Sequence, residues 1–155
     1  MKYKIRLICI LLFTLSIVGY GCSSVEAEKK LPKTDERLIY ISIDKYSQDG
    51  NMTVGVNDTK IFESKKEQVA VSDIISIFNS KEPVDEKFEN PKYRIIFLYN
   101  LDPKQSEVRD EFMESVRFQV IDKDGLLVQN EDTKQTFRIS GEGYDKLSKY
   151  LNLLK

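Results

Sequence analysis

The sequence contains no histidine and no tryptophan, and only two of its 155 residues are cysteines. Without histidine, a Ser-His-Asp triad, a Cys-His pair, an HExxH zinc site and histidine ligation of haem are all excluded. Lysine and arginine number 24 against 25 aspartates and glutamates, so the chain lacks the basic excess that is typical of nucleic-acid-binding proteins. It also has no glycine-rich phosphate-binding loop. These absences remove the commonest catalytic chemistries.

The first 21 residues have the layout of a secretory signal. Three basic residues within the first six positions precede an uncharged run over 7–21, which is too short for a membrane-spanning helix. Gly21 directly precedes Cys22, and a small residue before a cysteine at the end of such a run resembles the lipobox of bacterial lipoproteins. The resemblance implies cleavage before Cys22 and attachment of a lipid there. We therefore expect a lipid-anchored protein on the extracytoplasmic face of the cell membrane.

Two other outcomes stay open at this site. Gly19 and Gly21 also satisfy the small-x-small rule of ordinary secretory cleavage, which would release a soluble protein, and the segment could remain as an uncleaved anchor. Loss of residues 1–21 removes three basic residues and Cys9, which leaves 21 basic and 25 acidic residues and a formal charge of −4. Cys22 is then the one remaining cysteine and the lipid would block its thiol, so we expect neither a disulfide nor a thiol nucleophile.

The rest of the chain divides into a tether and one domain. Residues 22–36 are polar and show no periodicity, which predicts a flexible tether. Residues 37–155 predict a single α+β domain, in which a mostly antiparallel sheet of about five to seven strands is covered on one face by two amphipathic helices. The predicted strands are 38–44, 52–56, 60–62, 93–99, 115–122, 126–128 and 135–139, and the predicted helices are 65–79 and 144–154.

Three short segments of this domain carry a family resemblance. They are Phe78–Lys81 with Pro83 after it, Asn90–Tyr93 before the central strand, and Asp132–Ser140 before the last helix. With them, residues 60–153 resemble the YhfM-like domain found in small lipoproteins of Gram-positive bacteria. That family has no assigned activity or catalytic residues, so the resemblance implies only a membrane-tethered, extracytoplasmic location.

The segment 101–114 is a long connection between two predicted strands. Connections of this length in compact domains are sometimes binding loops, and Val108, Arg109, Phe112 and Met113 are the candidate partner-binding residues. The alternative is a solvated loop whose Val108 and Phe112 pack against the sheet.

A second pattern resembles part of a calcium-binding loop. Asp122, Asp124, Gly125 and Glu131 match positions 3, 5, 6 and 12 of an EF-hand. Position 1 is Val120, which has no ligating side chain, and Asp-Gly is a common hairpin-turn dipeptide. We therefore interpret the segment as a hairpin turn, and we expect no metal site and no cofactor.

Several tyrosines could indicate an aromatic platform for carbohydrate. The strand and helix spacing assigns most of them to core or half-buried positions instead. They are Tyr40, Tyr46, Tyr93, Tyr99, Tyr144 and Tyr150.

Two classes of function remain. The first is a non-catalytic binding or accessory module, tethered to the membrane, that binds an envelope protein or another envelope component. The second is a secreted or anchored hydrolase of the cell envelope that uses carboxylates alone, for which Asp85 with Glu86 and Glu131 with Asp132 are candidate pairs. The absence of histidine, of a free thiol and of a phosphate loop favours the first class.

Overall fold

The computed structural model describes residues 31, 37–47, 58–102, 104, 113–122 and 125–154. In this part of the chain one seven-stranded antiparallel sheet packs against two helices, which confirms the predicted fold class. The strand order is β2-β1-β4-β5-β6-β7-β3. The predicted strand over 52–56 lies outside the described residues. The elements are β1 (Leu38–Lys45), β2 (Thr59–Glu63), α1 (Gln68–Asn79), β3 (Glu82–Pro83), β4 (Tyr93–Asn100), β5 (Met113–Asp122), β6 (Leu126–Asn130), β7 (Thr136–Ile139) and α2 (Gly141–Leu151).

One face of the sheet forms the hydrophobic core together with both helices. Alternate strand residues such as Ile43 and Ile95 are fully buried there. The ring of Phe78 on α1 contacts Phe97 and Phe118, with centroid distances of 5.1 and 4.8 Å. Since burial of one such side chain contributes about 1.5–3 kcal/mol, this cluster fixes α1 on the centre of the sheet.

The start of α1 differs from the prediction. The helix begins at Gln68 rather than near position 65, because residues 64–66 form a turn. The Ser64 hydroxyl donates to the carbonyl of Leu38 instead of capping the helix. The Glu67 carboxylate does reach back, but it accepts the backbone N–H of Glu63 at 3.1 Å. Ser64 and Glu67, whose spacing matches a capping box, thus fasten the strand end to the helix start.

The folded unit extends back into the predicted tether. Leu31 is only 4% exposed and belongs to the core cluster. The amide Nδ2 of Asn79 donates to the Leu31 carbonyl oxygen at 3.1 Å. Within the predicted tether over 22–36, the side chain of Leu31 is thus removed from water in the core. The rest of that segment lies outside the described residues, and the tether stays a prediction there.

Candidate functional site

The face of the sheet opposite the helices, here called the second face, carries the side chains that alternate with the core residues. In β4, Ile95 and Phe97 belong to the core, so Arg94, Ile96 and Leu98 point to the second face. All three are half-buried. Strand β4 lies between β1 and β5, as its apolar character on both faces predicts.

A line of polar residues crosses the second face at one level of the sheet. The strand registers pair one polar residue from each of six neighbouring strands, from β2 at one side to β7 at the other. With neighbouring strands about 4.8 Å apart, the line is roughly 24 Å long. We call these residues the polar row: Thr59, Asp44, Arg94, Gln119, Gln129 and Thr136.

The charges at the β1 side of the polar row are paired. The Thr59 hydroxyl donates to Asp44 Oδ1 at 3.0 Å, and Arg94 Nη2 lies 3.5 Å from Asp44 Oδ2. Asp44 is 8% exposed. Arg94 Nε is buried and finds no acceptor among the described residues. The aspartate and the arginine neutralise each other, so this half of the row has no net charge.

The middle of the row presents uncharged groups. Gln119 Nε2 donates to the hydroxyl oxygen of Tyr46 at 3.4 Å. Burial raises the pKa of the Tyr46 hydroxyl, and the negative charge of Glu131 acts in the same direction. Tyr46 is therefore a neutral hydroxyl at physiological pH, which can both donate and accept a hydrogen bond.

A cleft of about 500 Å³ lies at the β7 end of the polar row. Two members of the row, Gln129 and Thr136, line it, and Gln129 Nε2 donates to Thr136 Oγ1 at 3.2 Å. Residues 83–86 and 134–135 line the rest. Glu86 forms an ion pair with Arg138 of β7, which holds the segment after β3 on the second face.

Apolar side chains border the polar row on both sides. Four of them, which we call the apolar patch, lie on β2, β1 and β4 around the small residue Ser42. On the other side of the row, Ile121 and Leu127 are paired and buried. Apolar side chains thus flank the row between β2 and β4 on one side and between β5 and β6 on the other. The apolar patch consists of Tyr40, Ile61, Ile96 and Leu98.

Most of the sequence-predicted site lies outside the described residues. This applies to the lipid-attachment residue Cys22 and to Val108, Arg109 and Phe112 of the predicted binding loop. Met113 is described: it begins β5, is half-buried and pairs with Asn100 at the end of β4. The partner-binding role of this connection stays a prediction.

The calcium-loop alternative does not fit the geometry. Asp122 pairs with Leu126 at one end of β6, whereas Glu131 follows the other end and donates its N–H to the Arg117 carbonyl at 2.9 Å. The length of β6 separates the two carboxylates by roughly 16 Å, so they cannot share an ion. The segment is a β5–β6 hairpin, as interpreted, with Gly125 at a φ of 108°. Within the described ranges no three acidic or cysteine residues are grouped to hold a metal ion.

Four of the six tyrosines lie in the hydrophobic core or pack against it, as their spacing predicts. Tyr99 is buried, and Tyr93, Tyr144 and Tyr150 pack against the core cluster. Tyr40 and Tyr46 alone of the six lie on the second face, one in the apolar patch and one beside the polar row.

Comparison of this chain with family models, with curated proteins and with solved structures finds no match. The resemblance of residues 60–153 to the YhfM-like domain stays a prediction from its three short segments. Function therefore has to be derived from the chemistry of the second face.

Proposed function

We propose that this protein is a non-catalytic, lipid-tethered module that binds a component of the cell envelope through the second face of its sheet. The observation that carries the proposal is the polar row with its cleft. It spans six strands of a rigid sheet, and neither described helix packs over it. Rigid elements hold the geometry of a site more closely than loops do.

The sequence supports a location outside the cytoplasm. Cys22 follows a signal-like segment in the position of a lipid-modified cysteine. No helix in the described part of the chain is both long enough and apolar enough to cross a membrane. A lipid on Cys22 would supply the membrane attachment without a spanning segment.

Binding accounts for this face better than carboxylate hydrolysis does. A glycosidase needs two carboxyl groups that face the scissile bond from either side. On the second face the oxygens of Asp44 are engaged by Thr59 and Arg94. In the candidate pair Asp85 with Glu86, Glu86 is engaged by Arg138. Carboxylates held by these partners serve to neutralise arginines rather than to act on a substrate.

Site-specific crosslinking in cells tests the binding proposal. A photoreactive amino acid is placed either at Ile61, which is 48% exposed on the second face, or at Val69, which is 78% exposed on α1. We expect a defined crosslinked species from position 61 and none from the more exposed control position 69. The same product at both positions, or none at either, would argue against a binding role for this face.

Two companion measurements separate the alternatives. Palmitate labelling of the parent chain and of Cys22→Ala tests the lipid anchor, and equal labelling would remove it. Turnover of envelope material that is abolished by Glu86→Gln would instead support the hydrolase.

A further inference from the structure

We propose that the polar row and its cleft bind an uncharged, hydroxyl-rich chain of the glycan type, which lies across the strands with one end in the cleft. This inference rests on the proposed binding function and names the chemistry of its ligand.

The charge balance of the site points to an uncharged ligand. Asp44 is paired with Arg94, and Glu86 is paired with Arg138. A charged ligand is usually recognised by an excess of the opposite charge. Asp85 and Lys134, which also line the cleft, add one charge of each sign, so the site has no net charge and its hydrogen-bonding groups would select the ligand.

The polar groups of the site are ones that both donate and accept. Gln119 and Gln129 present side-chain amides, while Thr136 and Tyr46 present hydroxyls. Each glutamine gives one hydrogen bond within the site, whereas an amide has two N–H donors and an acceptor oxygen. Both glutamines are half-buried and so reach solvent. Ligand hydroxyls, which also donate and accept, are the natural complement of such a mixture.

The dimensions of the site suit an elongated ligand. The cleft of about 500 Å³ falls within the range of about 300–1,000 Å³ that is usual for small-molecule sites. The row then continues from Gln129 through Gln119 to Arg94 and Asp44 for roughly 14 Å, at a strand spacing of about 4.8 Å. A chain of several sugar rings can follow it, whereas a single small molecule would occupy only the cleft.

The sheet edges beside the row argue against an extended peptide that adds as a strand. At β3, the N–H of Val84 donates to the Thr136 carbonyl of β7. Because backbone groups alternate in direction, the backbone nitrogen of Pro83 points away from β7 to the open edge, and proline has no N–H to donate there. At β2, the outward N–H of Glu63 is already accepted by Glu67. Strand addition depends on backbone hydrogen bonds along a sheet edge. The missing N–H at Pro83 and the occupied N–H of Glu63 reduce the number of such bonds that an added strand could form. A ligand that binds side chains on the face avoids this restriction.

Binding of uncharged oligosaccharides to the full chain in detergent micelles tests the proposal. Fluorescently labelled tetramers of glucose and of N-acetylglucosamine are titrated and followed by anisotropy. We expect at least one tetramer to bind, with little change in Kd between about 0.05 and 0.5 M salt, because no ion pair forms. Gln129→Leu and Thr136→Val each remove polar groups lining the cleft and should raise Kd about ten-fold or more.

Gln68→Leu is the matched control, since it makes the same chemical change at an exposed position of α1. It should leave Kd within about two-fold of the parent value. Thermal unfolding followed by circular dichroism identifies a variant that has lost its fold. If Gln129→Leu has lost its fold, the Kd of Thr136→Val, which is the nearly isosteric change, tests the proposal.

Three results would overturn the glycan proposal. They are the failure of every tetramer to bind, equal binding by the parent and both cleft variants, and saturable binding of an extended peptide in place of the sugars. In each case a specific crosslink from position 61 would still support the proposed binding function. Failure of the glycan proposal can therefore be told apart from failure of the binding proposal.

Discussion

Replacement of Leu31 by alanine should destabilise the domain, although this residue lies six positions before the predicted domain boundary. Leu31 is 4% exposed in the core. Leucine-to-alanine changes in cores cost about 2–5 kcal/mol, through lost transfer free energy and the cavity left behind. For Leu31 we expect a loss in the lower part of this range, about 2–3 kcal/mol.

Urea unfolding of a chain that starts at Ser23 measures this loss. Circular dichroism is a suitable signal because the protein has no tryptophan. With an m value of about 1.5 kcal/mol/M, the midpoint should fall by roughly 1–2 M while m stays constant. Leu153→Ala is the matched control, since Leu153 is 56% exposed and its change should stay within about 0.5 kcal/mol. If Leu31→Ala behaves like this control, the core burial of Leu31 contributes nothing and the inference is refuted.

Three further substitutions test other parts of the fold by the same unfolding assay. Phe118→Ala empties the centre of the aromatic cluster and should cost about 3–5 kcal/mol; a loss below 1 would contradict the packing described. Gly125→Ala should cost about 1–3 kcal/mol, because φ is +108° and the added Cβ would lie 3.3 Å from the Ile139 carbonyl oxygen; no loss would refute the strained turn. Burial, together with a hydrogen bond to Asp73, raises the pKa of Tyr150 above its ordinary 10.0. The associated stability is therefore complete below pH 10 and lost as pH rises through the raised pKa, so Tyr150→Phe should flatten the decline above pH 10, and an unchanged decline would count against it.

Periodicity predicted the regular elements well where they are long and half-buried. The alternation over 38–44 and 93–99 corresponds to β1 and β4. The apolar spacing from Tyr144 to Leu151 corresponds to the inner side of α2, which ends at Leu151, so the buried Leu154 lies beyond the helix. Strand β3 was not predicted, because its two residues are too few for a period and one of them is proline. Leu31 was missed for a similar reason, since one apolar residue among polar neighbours gives no pattern.

The polar row could not be predicted from the sequence, because it is a property of strand register. Each member is an ordinary polar residue of its strand, such as Gln119 between Phe118 and Val120. Only the pairing of Gln119 with Arg94 and with Gln129 shows that the polar positions share one level. A shift of any register by one residue would move that side chain to the core face. The candidate partner-binding residues, by contrast, lie in a connection that only its length distinguishes.

Stability alone does not account for polar residues at this level of the sheet. Replacing a buried ion pair by apolar residues is often neutral or stabilising by about 1–4 kcal/mol, since two charges must be removed from water. Asp44 and Arg94 form such a pair at the β1 side of the row, with side chains 11% and 23% exposed, and apolar residues border them on the same face. Apolar residues at these positions would serve the fold at least as well. What the polar row adds is a set of hydrogen-bonding groups held in fixed positions, and that is what a binding surface requires.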